Sequence, residues 1–105
     1  MTKKVIDGKM YDTATADEIC RVSNSLGMDD FDFLDASLYR TDNGRYFIAG
    51  DGGAASVLGV VNADRSRMIG LNRIVALTED EARSYVEKHA DAETFENCFG
   101  AAEAA

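Results

Sequence analysis

Few residues in this chain carry chemical promise, and each can be weighed by what its chemistry requires. "GDGGAAS" (Gly50–Ser56) sets three glycines and an aspartate inside an apolar run, a composition that can cradle a phosphate. A P-loop, however, spaces GxxxxGK[ST] so that a lysine reaches the β- and γ-phosphates and a hydroxyl meets magnesium. No lysine is present here, and Asp51 would repel a phosphate. Gly50, Gly52 and Gly53 also miss the third spacing of GxGxxG, and a hairpin does not supply the parallel βαβ unit which that fingerprint needs. These glycines instead predict a sharp turn after a strand, since glycine there permits a bulge, a tight bend or a close backbone approach. A small-ligand or enzymatic role for the loop would require a pocket beside it.

The remaining candidates are equally bounded. His89 is the single histidine and falls on the packed stripe of a predicted helix, where a structural role is expected. Asp29, Asp30, Asp32 and Asp35 invite a calcium reading. They lack the central glycine and distal bidentate glutamate of an EF-hand, and Phe31 and Phe33 interrupt them, so a solvated acidic turn is expected. Cys20 and Cys98 share no metal-type spacing, and no HExxH or CxxC occurs. Two reduced thiols packed as small hydrophobes are predicted. The expectation is a non-enzymatic chain with no metal and no cofactor.

Charge is more informative than motif. The net charge is −8, and it is unevenly spread. Lys3, Lys4 and Lys9 make the first residues basic, and Arg40, Arg45, Arg65, Arg67 and Arg73 enrich the middle. From Glu79 to Glu103 eight acids face only Arg83 and Lys88. Direct binding to a nucleic-acid backbone relies on clustered Lys and Arg, so it is not expected. An acidic face suits a basic protein partner or serves solubility. The acids placed to meet such a partner are Asp80, Glu87, Asp91, Glu93 and Glu96, on the predicted C-terminal helices, spaced like a run of phosphates. No apolar run approaches the ~18–20 residues of a membrane span, and no apolar stretch follows Lys3 and Lys4 as in a signal peptide, so a cytoplasmic location is expected.

The elements that must position these side chains follow from pattern. A chain of 105 residues is one domain, here residues 1–100, with a fraying tail over 101–105. "KKVIDGKMYD" reads as two short strands about an Asp7-Gly8 turn. Thr15 and Glu18 form a Thr-x-x-Glu capping pattern, Ile19 and Val22 recur at helical spacing, and Gly27 could end a helix, which together predict a helix over about 15–25. Leu34, Ala36 and Leu38 alternate with polar residues, Asp42-Asn43-Gly44 supplies a turn, and Tyr46–Ala49 is apolar on both faces, giving a hairpin with a central strand. Residues 54–66 read either as a short helix or as a strand leading into a loop. "MIGLNRIVAL" predicts a strand with Ile69, Leu71, Val75 and Leu77 in step and Arg73 as the exception. Thr78–Glu81 is a second capping box, opening a helix over 79–90 with Ala82, Tyr85, Val86 and His89 on one stripe. A short second helix follows, with Phe95, Cys98 and Phe99 inward and Gly100 ending it. The fold class is α+β: an antiparallel sheet of four or five strands, with an N-terminal-half helix and the C-terminal helices packed on one face.

The segments "GKMYDTATA", "LYRTDNGRYFIAGDGGAAS", "ALTEDEARSYVEKH" and "FENCFG" occur in this order. Together they resemble a family of small, mostly uncharacterised proteins of gut bacteria and their mobile elements. The resemblance covers most of the chain. It departs from the family pattern at Ala76, where a proline is usual, at Tyr85, where a tryptophan is usual, and at Val57-Leu58, where a more polar, tyrosine-containing stretch is usual. The family brings no catalytic motif. Its setting implies inhibition of a host defence system, CRISPR or restriction, by occluding a nucleic-acid-binding face. The expected function is therefore a small acidic protein-binding module. The alternative is a structural or homo-oligomeric accessory domain, such as a homodimer, whose acids serve only solubility.

Overall fold

Strand β5 (Tyr46–Gly52) runs through the middle of the molecule with both faces buried along its first four residues. The reason is its composition, since Tyr46, Phe47, Ile48 and Ala49 leave no polar side to expose. In the computed structural model, which describes residues 2–100, β5 pairs antiparallel with β4 (Leu34–Arg40) and with β8 (Gly70–Leu77). Strand β3 (Asp17–Ser23) lies beyond β4, giving a four-stranded sheet in the order β3-β4-β5-β8. The remaining strands are a hairpin, β1 (Lys3–Ile6) with β2 (Lys9–Asp12), and a short ribbon, β6 (Val60–Val61) with β7 (Arg67–Met68). Two helices follow, α1 (Glu79–His89) and α2 (Ala92–Phe99). The fold is α+β, with both helices packed on the four-stranded antiparallel sheet.

Period-two alternation sorts the sheet into two faces. Tyr46, Ile48, Leu38, Ala36, Val22 and Leu77 share one core with Ala82, Val86 and Phe95 of the helices. Phe47, Ala49 and Ile74 point the other way and share a smaller core with Tyr11 of β2. There Phe47 stacks on Tyr39 at 5.0 Å and meets Tyr11 edge-on at 5.5 Å. Tyr11 thus ties the N-terminal hairpin to this face. Asp7 and Gly8 turn that hairpin with φ of 51° and 76°, the left-handed pair a tight turn needs.

The helix predicted over 15–25 is not there; residues 17–23 are strand β3. Cys20 pairs with Leu38 and Val22 with Ala36, and a bulge falls between Glu18 and Cys20. The bulge turns Ile19 towards the same core as Cys20 and Val22, and so imitates helical spacing in a strand. Glu18 accepts a hydrogen bond from Ser37 Oγ instead of closing a capping box. Gly27 ends no helix. It lies in a loop stapled by Asn24, whose Nδ2 donates to the Asp32 carbonyl and whose Oδ1 accepts from Leu34 N. A second correction concerns β8. Asn72 has a left-handed φ of 50°, and the register with β5 shifts between Gly50 and Gly52. Leu71 therefore faces solvent, while Ile74 is buried. Residues 54–66 contain no helix: Leu58 is buried and the chain then enters the β6–β7 ribbon, turned by Asn62, Asp64 and Ser66.

The C-terminal helices follow their local signals. Thr78 Oγ1 accepts from Glu81 N at 3.2 Å and Glu81 Oε1 accepts from Thr78 N at 2.9 Å, a complete capping box. Asp91 caps α2, and Gly100 ends it with φ 87°. The predicted tail 101–105 lies outside the described residues. No helix among the described residues is long and apolar enough to cross a membrane.

Candidate functional site

The five acids assigned to a partner surface are all exposed, but they do not form one group. Asp80 and Glu93 lie in the first turns of α1 and α2, where a carboxylate is favoured by the helix dipole. Glu87, Asp91 and Glu96 come together instead. They border a notch of about 280 Å³ between the helices, whose apolar lining includes Val86, Ala90 and Phe95. Val86 and Phe95 are buried because α1 and α2 turn these residues onto the sheet core. The acids surround the end of that packing, where apolar surface meets water.

The three acids differ in how far they are engaged. Asp91 Oδ1 accepts from Thr94 N at 2.9 Å as the N-cap of α2. The hydrogen bonds from Thr94, backbone first and side chain second, hold the Asp91 carboxyl below the usual aspartate range. Among the described residues the one ion pair is Arg21–Asp35, so neither Glu87 nor Glu96 is paired with a cation. Arg83 is already stacked, its Cζ 5.5 Å from the centroid of the Phe95 ring and 5.6 Å from that of Phe99. A larger, neighbouring hollow of about 550 Å³ contains Glu81, Tyr85 and Glu87 but also Lys88, whose charge offsets the acids.

The glycine-rich stretch is backbone geometry. β5 continues through it to Gly52, with the bulge against β8. Gly50 has φ 149°, and a Cβ there would stand 2.5 Å from the Asp35 carbonyl oxygen. At Gly53 a Cβ would stand 2.5 Å from the carbonyl oxygens of Asp30 and Phe31. The sharp turn predicted here does not fall at Gly50–Gly52, where the strand continues and the glycines serve a bulge and a close backbone approach. A hollow of about 270 Å³ does lie beside it, on the face opposite the helices, bordered by Arg21, Asp35, Ser37, Tyr39, Asp51 and Asn72. Its polar groups are largely bonded within the protein. Arg21 pairs with Asp35, Asp51 Oδ1 accepts from Asn72 N at 2.8 Å, and Ser37 donates to Glu18. Sequence reading missed Arg21, Ser37 and Asn72 as neighbours because strand register, not spacing, assembles them. Polar residues alternating with Cys20, Val22, Ala36 and Leu38 were the available signal.

The other candidates are placed as follows. Cys20 on β3 and Cys98 on α2 are free, half-buried thiols. Burial raises both above the usual thiol range. For Cys20 the nearby Cys98 and Glu18 add to the rise, and for Cys98 the Arg40 charge opposes it. Such thiols hold little thiolate at neutral pH and are weak nucleophiles. The His89 ring lies along Tyr85 with centroids 6.4 Å apart. Asp30 accepts from Asp32 N and Asp35 pairs with Arg21, so this acidic run is tied into its own loop and strand. Among the described residues no three His, Cys, Asp or Glu side chains gather in a metal-holding group.

No family model matches this chain, and neither does any curated protein or solved structure.

Proposed function

We propose that this chain is a small non-enzymatic binding module that offers the acidic surface of α1 and α2 to a basic protein partner. The observation carrying this reading is the grouping of exposed Glu87, Asp91 and Glu96 around one apolar notch, with both glutamates outside any ion pair among the described residues. In the setting implied by the resemblance, the partner is a nucleic-acid-binding host defence complex. The module would occupy a basic face that otherwise takes a phosphate backbone. Complementary charge mainly raises the on-rate and sets specificity, and its effect fades as salt rises.

Affinity capture from host-type lysate at low and high salt, followed by binding measurements on the purified captured protein, tests the proposal. Wild type is compared with a variant carrying Glu87→Gln, Asp91→Asn, Glu93→Gln and Glu96→Gln. A basic protein held by wild type, weakened by salt and lost by the variant is the expected result. Binding that is indifferent to both salt and variant would remove the reading.

A self-associating accessory domain is the second reading, favoured by one observation. Val5 and Met10 stand opposite each other across the β1–β2 hairpin, and both are more than half exposed. Light scattering over a concentration series decides it, since a strict monomer excludes association through this face.

A further inference from the structure

We propose that the notch between α1 and α2 accepts one arginine side chain of the basic partner, with its stem over Ala90 and the edge of Phe95 and its guanidinium between Glu87 and Glu96. This inference rests on the acidic-surface reading above and specifies its contact. Four observations converge on it. The first is size: about 280 Å³ falls just below the roughly 300–1,000 Å³ typical of small-molecule pockets, and suits a single long side chain. The second is the division of the lining. Accessible apolar atoms of Ala90 and Phe95 share the lining with exposed carboxylates, which matches a side chain with an apolar stem and a charged head.

The third observation is the placement of the acids on separate elements. Glu87 belongs to α1 and Glu96 to α2, while Asp91 stands at the junction with one oxygen already committed to Thr94 N. A planar guanidinium with five donors can be held by two carboxylates at once, whereas an ammonium acts as a compact point charge and keeps its hydration more strongly. The fourth is internal to the chain. Arg83 already stacks its guanidinium on Phe95 and Phe99, so Phe95, the one of these two rings that lines the notch, is a side chain on which a guanidinium packs in this fold. The nearby cations do not fill the role. Arg83 is engaged with the rings, and Lys88 lines the neighbouring hollow with Glu81 and Glu87 without forming an ion pair with either.

The test uses the full chain, ¹⁵N-labelled, at low salt. Three otherwise identical pentapeptides are titrated, with arginine, lysine or citrulline at the centre and alanine elsewhere. The arginine peptide is expected to move the amides of residues 86–92 and 95–96 and to bind about fivefold more tightly than the lysine peptide. Glu87→Gln with Glu96→Gln should weaken it by about tenfold without altering the amide pattern of the sheet. Asp91→Asn keeps the helix cap and should have a smaller effect. Equal binding of arginine and lysine at these amides overturns the arginine assignment and leaves the acidic-surface reading standing. Arginine binding no tighter than citrulline, or shifts confined to residues outside the notch, overturns the inference outright. If the lysine peptide also leaves the helix amides unmoved, the reading beneath it loses its support at this site.

Discussion

Two hollows of nearly equal size lie on opposite sides of the sheet, about 280 Å³ between the helices and about 270 Å³ beside Asp51, and both contain carboxylates. They differ in what those carboxylates already do. On the sheet side Asp35 holds Arg21 and Asp51 holds the Asn72 amide, so the acids shape the strands around them. On the helix side Asp91 caps α2, but Glu87 and Glu96 stand at the edge of apolar surface and outside any ion pair among the described residues. An acid-lined hollow becomes a strong binding candidate only where the acids are not spent on their own fold. That distinction lies in packing and register, and counting charges along the chain does not reach it.

The comparison can be broken most severely at the notch floor. Phe95→Ala removes a buried ring that packs on Phe99 and supports both helices, and should cost about 3–5 kcal/mol in urea unfolding. A loss below about 1 kcal/mol would show that the helices do not anchor on this ring. Next in size is the contrast between the two Thr-x-x-Glu patterns. Thr78→Ala should cost about 1 kcal/mol by opening the α1 capping box, whereas Thr15→Ala should stay within about 0.5 kcal/mol. Equal losses would contradict the different roles assigned to them.

Alkaline titration compares the two sides of the sheet. Burial is the leading cause raising the pKa of Tyr85 beside the helices and of Tyr39 on the opposite face, with Glu81 and Glu18 adding to it respectively. A raised folded-state pKa means that this stabilising contribution is intact below the ordinary tyrosine value of about 10 and is lost as pH climbs through the raised value. Absorbance at the tyrosinate band should therefore rise later in the folded chain than in urea. The smallest effects sharpen the contrast most. Asp35→Asn weakens an exposed ion pair and should cost at most about 1 kcal/mol, while Glu87→Gln and Glu96→Gln should each change stability by less than about 0.5 kcal/mol. A marked loss in either glutamate variant would mean that these acids too are structural.

Much of the fold was legible because local chemistry and tertiary packing agreed. The Asp7-Gly8 turn, the β4–β5 hairpin, the Thr78 capping box and the Gly100 helix end all carry signals that act within a few residues. Thr15–Glu18 carried the same helix-start signal as Thr78–Glu81 and became the entry to a strand. There the pairing of β3 with β4 outweighed a cap, and the bulge beside Cys20 disguised strand alternation as helical spacing. Leu71 was misread for a related reason, since the left-handed Asn72 and the register shift at Gly50 reset which side chains face inward. Of the candidate site, the acids were readable as charge on helices, but only the packing of α1 on α2 separates Glu87, Asp91 and Glu96 from Asp80 and Glu93.

The most direct test of the central claim removes the same charge from each side. Calorimetry at low salt would compare wild type, Glu87→Gln with Glu96→Gln, and Asp35→Asn with Asp51→Asn, each binding a nonapeptide with three spaced arginines. Binding should fall by about tenfold in the helix pair and remain within about twofold of wild type in the sheet pair. Equal losses in the two pairs would show that net charge alone attracts the peptide and that the notch is not a site.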